Sequence, residues 1–245
     1  MLRRSRELFA DILRQTDLVL LALCAAASLF GVLMVASATR YMHTWHLVAV
    51  QSVALLLGVV LYLVISQIDL SDLCKYWKWI FLVGVVCILL LVTPLGIADN
   101  TGNRAWLDFP FLPVKVQPAE IVKLTLTLVL AKQLVWLKEN RNLSSIPSVL
   151  FLAAHLGVIF VLYYKVSSDM GSALVFLFIF ACMCFVGGVA LRWFLLGGLA
   201  GGLAFWAMWD LNKIPSYMKL RFQVLFDHSL DPQDTGWQQT RSLMA

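Results

Sequence analysis

The stretch Asp99-Asn-Thr-Gly-Asn-Arg-Ala-Trp-Leu-Asp-Phe-Pro-Phe-Leu-Pro-Val-Lys-Val-Gln-Pro-Ala-Glu-Ile-Val-Lys-Leu-Thr-Leu126 decides how this chain folds. A polar, aromatic loop runs directly into an apolar helical segment that carries Glu120 and Lys123. An ionisable group inside a membrane-spanning helix costs roughly 2.5–3.5 kcal/mol on insertion scales, so it marks a candidate functional site. At positions i and i+3 the two side chains share one helix face, and each partly neutralises the other. What that face looks at is set by the rest of the chain.

Working outward, the 245 residues are 61% hydrophobic and 13% charged, with a mean hydropathy of +0.84. This is the composition of an all-α, polytopic transmembrane helical bundle and excludes an ordinary soluble globule. Lys and Arg at membrane ends account for the net charge of +5, and no nucleic-acid partner is indicated. Cys24, Cys74, Cys87, Cys182 and Cys184 include no Cys-x-x-Cys pair, so neither a metal site nor a disulfide is expected. Arg3, Arg4, Arg6 and Arg14 precede the first apolar run and read as a retained signal anchor.

Seven apolar runs, about 18–38, 47–66, 78–98, 118–136, 147–164, 172–190 and 193–209, each approach the 17–25 residues that cross a hydrocarbon core. They divide the chain into a cytoplasmic segment 1–17, a bundle 18–209 and an extracytoplasmic segment 210–245. With the N-terminus in the cytoplasm, ten cations lie in inside connections: the four N-terminal arginines, Lys75, Lys78, Lys132, Lys138, Arg141 and Arg192. Four (Arg40, Arg104, Lys115 and Lys165) lie outside before the tail, and the positive-inside rule favours this orientation. The loop 99–117, the segment 165–171 and the tail then share the outer side. Gly198 and Gly202 have the spacing of a close helix–helix approach.

Trp106, Phe109, Pro110 and Pro113 make the loop rigid and suited to an interface, which an aromatic belt also explains. Arg104, Lys115 and Lys123 gather on the side that positive-inside statistics disfavour, and an anionic ligand such as a phosphate accounts for them. Pro118 suits a first helical position, with Gln117 just outside it. Asp169 is either a helix N-cap or part of a site. His155, near the middle of the fifth run, is a hydrogen-bonded packing histidine or a proton relay. His43, His46 and His228 show no ligand spacing, and no P-loop, Gly-x-Ser-x-Gly or dinucleotide fingerprint occurs.

Gly102-Asn-Arg-Ala-Trp106-Leu-Asp, Gln117-Pro-Ala-Glu-Ile-Val-Lys123-Leu and Ser168-Asp169-Met-Gly171-Ser-Ala resemble motifs of the SEDS family of bacterial cell-wall polymerases (RodA, FtsW, SpoVE). Tyr217 to Asp227, Asp231-Pro232 and Gly236-Trp-Gln-Gln resemble the start of that family's large outer loop. The chain departs in three places. Ser167-Ser168 stands where the family has Gln-Pro, Met170 stands for Leu, and Arg104 lies one position earlier than the usual basic residue before the tryptophan.

The resemblance implies a peptidoglycan glycosyltransferase that polymerises lipid II, an undecaprenyl-pyrophosphate-linked disaccharide pentapeptide, in the bacterial cytoplasmic membrane. Arg104, Trp106, Gln117, Glu120, Lys123 and Asp169 are the substrate-binding residues it implies here. It implies a class B penicillin-binding transpeptidase as partner and no cofactor; a divalent cation is allowed but not indicated. About seven of the family's roughly ten spans are expected here, with the catalytic aspartate beyond Ala245, so residues 1–245 alone are expected to be inactive. A lipid II flippase and a non-catalytic docking partner of a transpeptidase are the alternatives. Elongation, division and sporulation roles are not separated by these residues.

Overall fold

The first helix of the computed structural model begins where the Asp17 carboxylate accepts a hydrogen bond from the Leu20 amide at 3.0 Å, a side-chain N-cap. The structure describes residues 16–40, 45–98, 103–110, 115–213, 216–224, 226–227, 237 and 241. The four N-terminal arginines, His43, Gly102, Pro113, His228, Asp231, Pro232 and Gly236 lie outside the described residues.

The described residues divide into two compact units, with the boundary between Cys87 and Ile88. In the first, α1 (Leu18–Ala38) packs along α2 (His46–Ile65). Thr16 Oγ1 and Ser66 Oγ meet at 2.9 Å, and the Tyr62 hydroxyl donates to the Asp17 carbonyl at 3.1 Å. Small and apolar side chains, among them Ala25, Ser28, Ala54 and Gly58, line a slot of about 290 Å³ between the two helices. Neither helix buries a residue, so both present apolar side chains outward, as helices in hydrocarbon do. A short helix α3 (Leu70–Leu73), capped by Asp69, leads through a 3₁₀ turn into α4 (Trp77–Leu90).

The division between the units falls within α4. The run expected to continue to residue 98 leaves the helix at Leu90. Thr93 and Pro94 stop it: the residue before a proline is pushed out of the α region, and the Thr93 hydroxyl donates to the Leu90 carbonyl at 2.6 Å. The chain then forms β1 (Gly96–Ile97), which pairs antiparallel with β2 (Trp106–Leu107), Gly96 opposite Leu107. Nothing in the sequence pattern signals this small hairpin.

The second unit is organised by α5 (Pro118–Asn140), α6 (Ile146–Ser167) and α7 (Met170–Gly187), which pack on one another. On α5 the buried residues Ala119, Val122, Leu126, Val129, Leu130, Leu134 and Leu137 recur at helical spacing. Leu152, Leu156, Ile159 and Tyr163 are buried on α6 and Ala173 and Phe176 on α7, and Leu130, Leu134 and Leu137 of α5 share one cluster with Leu152 and Cys184. Lipid tails are as apolar as leucine, so this packing gains from close contact more than from removal of water. His155 Nδ1 lies 2.8 Å from Gln133 Oε1, the cross-helix hydrogen bond of a packing histidine. Cys184 is buried and Cys182 exposed, and no disulfide joins the described cysteines.

α8 (Leu191–Asp210) and α9 (Ser216–Val224) complete the described elements. No residue of α8 is buried, and no heavy atom comes within 4 Å of a Cβ built on Gly197, Gly198, Gly201 or Gly202. The close helix approach expected at Gly198 and Gly202 is therefore not made among the described residues. Six helical stretches among them are long and apolar enough to cross a membrane, the third being Leu70–Leu90, which joins α3, the 3₁₀ turn and α4. The run at about 118–136, expected as the fourth span, lies in the α5 helix of 23 residues, about 34 Å long. Glu120, Lys123, Lys132, Lys138 and Glu139 make it more polar than the other six.

Candidate functional site

The loop before α5 is fastened at three places. The Leu107 amide donates to the Val116 carbonyl at 2.8 Å and the Val116 amide returns to Leu107 at 2.9 Å, which sets the approach to α5. The Asp108 amide donates to the Leu95 carbonyl at 2.9 Å. The Arg104 amide donates to the Ser167 carbonyl at 3.0 Å, at the last residue of α6. Ala105 and Leu107 are buried, and Trp106 between them is half-buried.

The Arg104 guanidinium, expected at an anionic ligand, turns back onto the hairpin. Its Nε donates to the Gly96 carbonyl at 3.0 Å and its Nη2 to the Thr93 carbonyl at 3.3 Å. A Cβ on Gly96 would collide with the Leu91 carbonyl, so only glycine fits this turn.

Pro118 occupies the first turn of α5, where the missing amide hydrogen costs nothing. Gln117 is the N-cap residue and makes no side-chain capping bond. One turn in, Lys123 Nζ pairs with Glu120 Oε2 at 2.6 Å; the lysine side chain is 30% exposed and the glutamate 61%. A negative charge in the first turn also suits the helix dipole.

Between α6 and α7, Ser168 takes the left-handed conformation at φ 57° and swings the chain around. Asp169 then caps α7: its carboxylate accepts from the Ser172 amide at 3.3 Å and from the Ser172 hydroxyl at 2.6 Å. The Tyr163 hydroxyl donates to the same carboxylate at 3.2 Å. The Tyr163 ring, fully buried, packs edge-on against Phe176 with centroids 5.1 Å apart. Asp169 is thus the N-cap of α7, and the Arg104–Ser167 bond brings the loop close to this cap.

The structure thus gathers the loop 103–108, the head of α5 and the α6–α7 turn at one end of the second unit. Arg104 and Asp169 are linked through Ser167 and Ser168, while Trp106 and Gln117 flank the Leu107–Val116 pairing. Thr93, Gly96, Tyr163 and Ser172 support the site and were missed from the sequence. Backbone carbonyls carry no residue-type signal, and Tyr163 is hidden in an apolar run. Glu120 and Asp169 are both engaged, an arrangement suited to binding and orienting charge more than to moving a proton. Among the described residues no three His, Cys, Asp or Glu side chains gather as a metal site.

Comparison with known proteins gives the chain its relatives. The model of the FTSW/RODA/SPOVE family, described as cell cycle protein, matches residues 15–245. A probable peptidoglycan glycosyltransferase FtsW of Saccharophagus degradans is 31% identical over 95% of this chain and 60% of its own length. The protein of the same name from Nitrosococcus halophilus is 29% identical, over 94% and 59%. Among solved structures, a chain from work on the structural coordination of polymerization and crosslinking by a peptidoglycan synthase complex superposes with a TM-score of 0.74. It is 29% identical, covering 92% of this chain and 63% of that one. Rod shape determining protein RodA of Thermus thermophilus gives a TM-score of 0.61 at 30% identity, covering 75% and 58%. The chain spans about 60% of the length of the relatives it matches.

Proposed function

The chain belongs to the FTSW/RODA/SPOVE family, and from that premise we propose that it serves peptidoglycan glycosyl transfer, the polymerisation of lipid II into glycan strands. With six helices able to cross a bilayer, it is a multi-pass membrane protein. Its place in the bacterial cytoplasmic membrane, with the N-terminus inside, is part of the proposal and is supported by the distribution of Lys and Arg.

The observation that carries the reading is Lys123, a partly exposed cation at the head of a buried helix, held by Glu120 at 2.6 Å. A lipid-linked pyrophosphate brings its charge to the edge of the hydrocarbon, where such a cation meets it. A preorganised cation also stabilises the pyrophosphate as it leaves. Trp106 and Gln117 would border the same ligand. Arg104 and Asp169 would act on it through the loop and helix they hold. A class B penicillin-binding transpeptidase is the proposed partner.

Binding of fluorescent lipid II to the chain in proteoliposomes tests the site. Lys123→Ala should weaken binding by about tenfold or more, the loss of one charge-assisted contact. Leu124→Ala, at an exposed neighbour, should leave it unchanged. Carried into a full-length relative, Lys123→Ala should nearly abolish polymer. Normal polymer at normal expression overturns the polymerase reading, and lipid II scrambling without polymer favours a flippase.

A further inference from the structure

The opposite end of the second unit carries its own concentration of positive charge, and we propose that it holds the headgroup of an anionic phospholipid. The inference does not depend on the glycosyltransferase reading. Its frame is the 141–145 turn between α5 and α6. Asn142 Oδ1 accepts from the Ser144 amide at 2.9 Å, and the Ser148 hydroxyl donates to the Asn142 carbonyl at 2.9 Å. Leu143 is buried against Leu134, Leu137, Leu152 and Val189. The Ala190 amide donates to the Ser144 hydroxyl at 2.9 Å, which fastens the turn to the start of α8.

The Ser144 carbonyl gathers the recognition groups. It accepts from Arg192 Nη2 at 3.3 Å and from Trp193 Nε1 at 2.9 Å. Arg141, three residues earlier, stands over the Trp136 ring at 5.7 Å. Lys138, Arg141 and Arg192 are all exposed, and Glu139 is the acidic residue in these segments. The Arg141 guanidinium on the turn and the Arg192 guanidinium bonded to it from α8 suit a phosphodiester, which such groups can grip through paired N–H donors.

The surroundings favour a lipid over a free anion. Ile146, Leu150, Leu191 and Leu195 are exposed beside the cations, and acyl chains would lie along them while the phosphate meets the arginines. Tryptophans at the boundary are typical of headgroup depth. In the proposed orientation this end faces the inner leaflet, whose anionic lipids attract basic groups near the membrane.

The test is lipid retention by the whole chain, reconstituted in mixed phosphatidylglycerol and phosphatidylcholine nanodiscs, then extracted gently and weighed by native mass spectrometry. Phosphatidylglycerol should be retained at least about fivefold over its bulk share, the factor one basic group contributes near an anionic surface. Arg141→Gln, which removes no hydrogen bond described above, should abolish most of that enrichment. Arg192→Lys should keep part of it, and Lys165→Gln at the other end should change nothing. No enrichment, enrichment unaffected by Arg141→Gln, equal loss with Lys165→Gln, or full displacement by inorganic phosphate would each overturn the proposal.

Discussion

The Arg104 amide donates to the Ser167 carbonyl at 3.0 Å, and this bond joins the loop before α5 to the turn that starts α7. Two residues on, Asp169 caps α7 and receives the Tyr163 hydroxyl. The position of the loop is therefore tied to the conformation of a turn far along the chain. Disturbing either side should be felt at the other.

Asp169→Ala should destabilise the second unit by about 2–4 kcal/mol. Losing an N-cap costs about 1 kcal/mol, and a buried hydroxyl left without its acceptor costs about 1–3. Tyr163→Phe should cost less, since it removes the donor and keeps the ring against Phe176. A double-mutant cycle on thermal unfolding in detergent checks this: the two substitutions should be clearly non-additive. Additive effects would show that the bond contributes nothing.

Gly96→Ala should be poorly tolerated, because the new Cβ meets the Leu91 backbone and not the movable end of a side chain. A cost of about 2 kcal/mol or more is expected, in the range of overpacked sites. Gly198→Ala should be neutral or slightly stabilising, by up to about 1 kcal/mol, since alanine is the better helix former. Expression level and melting temperature of the two variants in one detergent decide it. Equal behaviour would remove the special status of Gly96.

The helices were legible because long apolar runs have few alternatives in a bilayer, and the charged head of α5 stood out against them. The helix end at Leu90 was hidden because residues 91–98 stay apolar while Thr93 and Pro94 redirect the backbone. Arg104 was legible as an unusual charge, but its partners are the carbonyls of Gly96 and Thr93. Any residue could supply those, so only the fold reveals them. Gly198 and Gly202 show the reverse: their spacing matches a packing motif, yet no described helix approaches them.

Glu120→Gln should separate stability from binding. The pair is partly exposed, so its loss should change stability by no more than about 1 kcal/mol. Lys123 would then lose its fixed position, and lipid II binding should weaken more than the melting temperature suggests. Measuring affinity and melting temperature on one preparation tests the split. Unchanged affinity would mean that Glu120 does not position the lysine.

Arg104 gives the most decisive comparison, since its guanidinium bonds two carbonyls instead of standing free for a ligand. Removing it in Arg104→Ala should cost about 2 kcal/mol, given about 1.5–3 for hydrogen bonds to charged groups. For a chain of this size that lowers the melting temperature by about 4–8 °C. Arg104→Lys keeps the charge but not the two-pronged reach, so it should recover only part of the loss. Hydrogen exchange at Leu107 and Asp108 should rise in both variants, more in the alanine, because their amides depend on the hairpin staying closed. If Arg104 instead gripped the pyrophosphate directly, lysine would largely restore lipid II binding and exchange at those amides would not change.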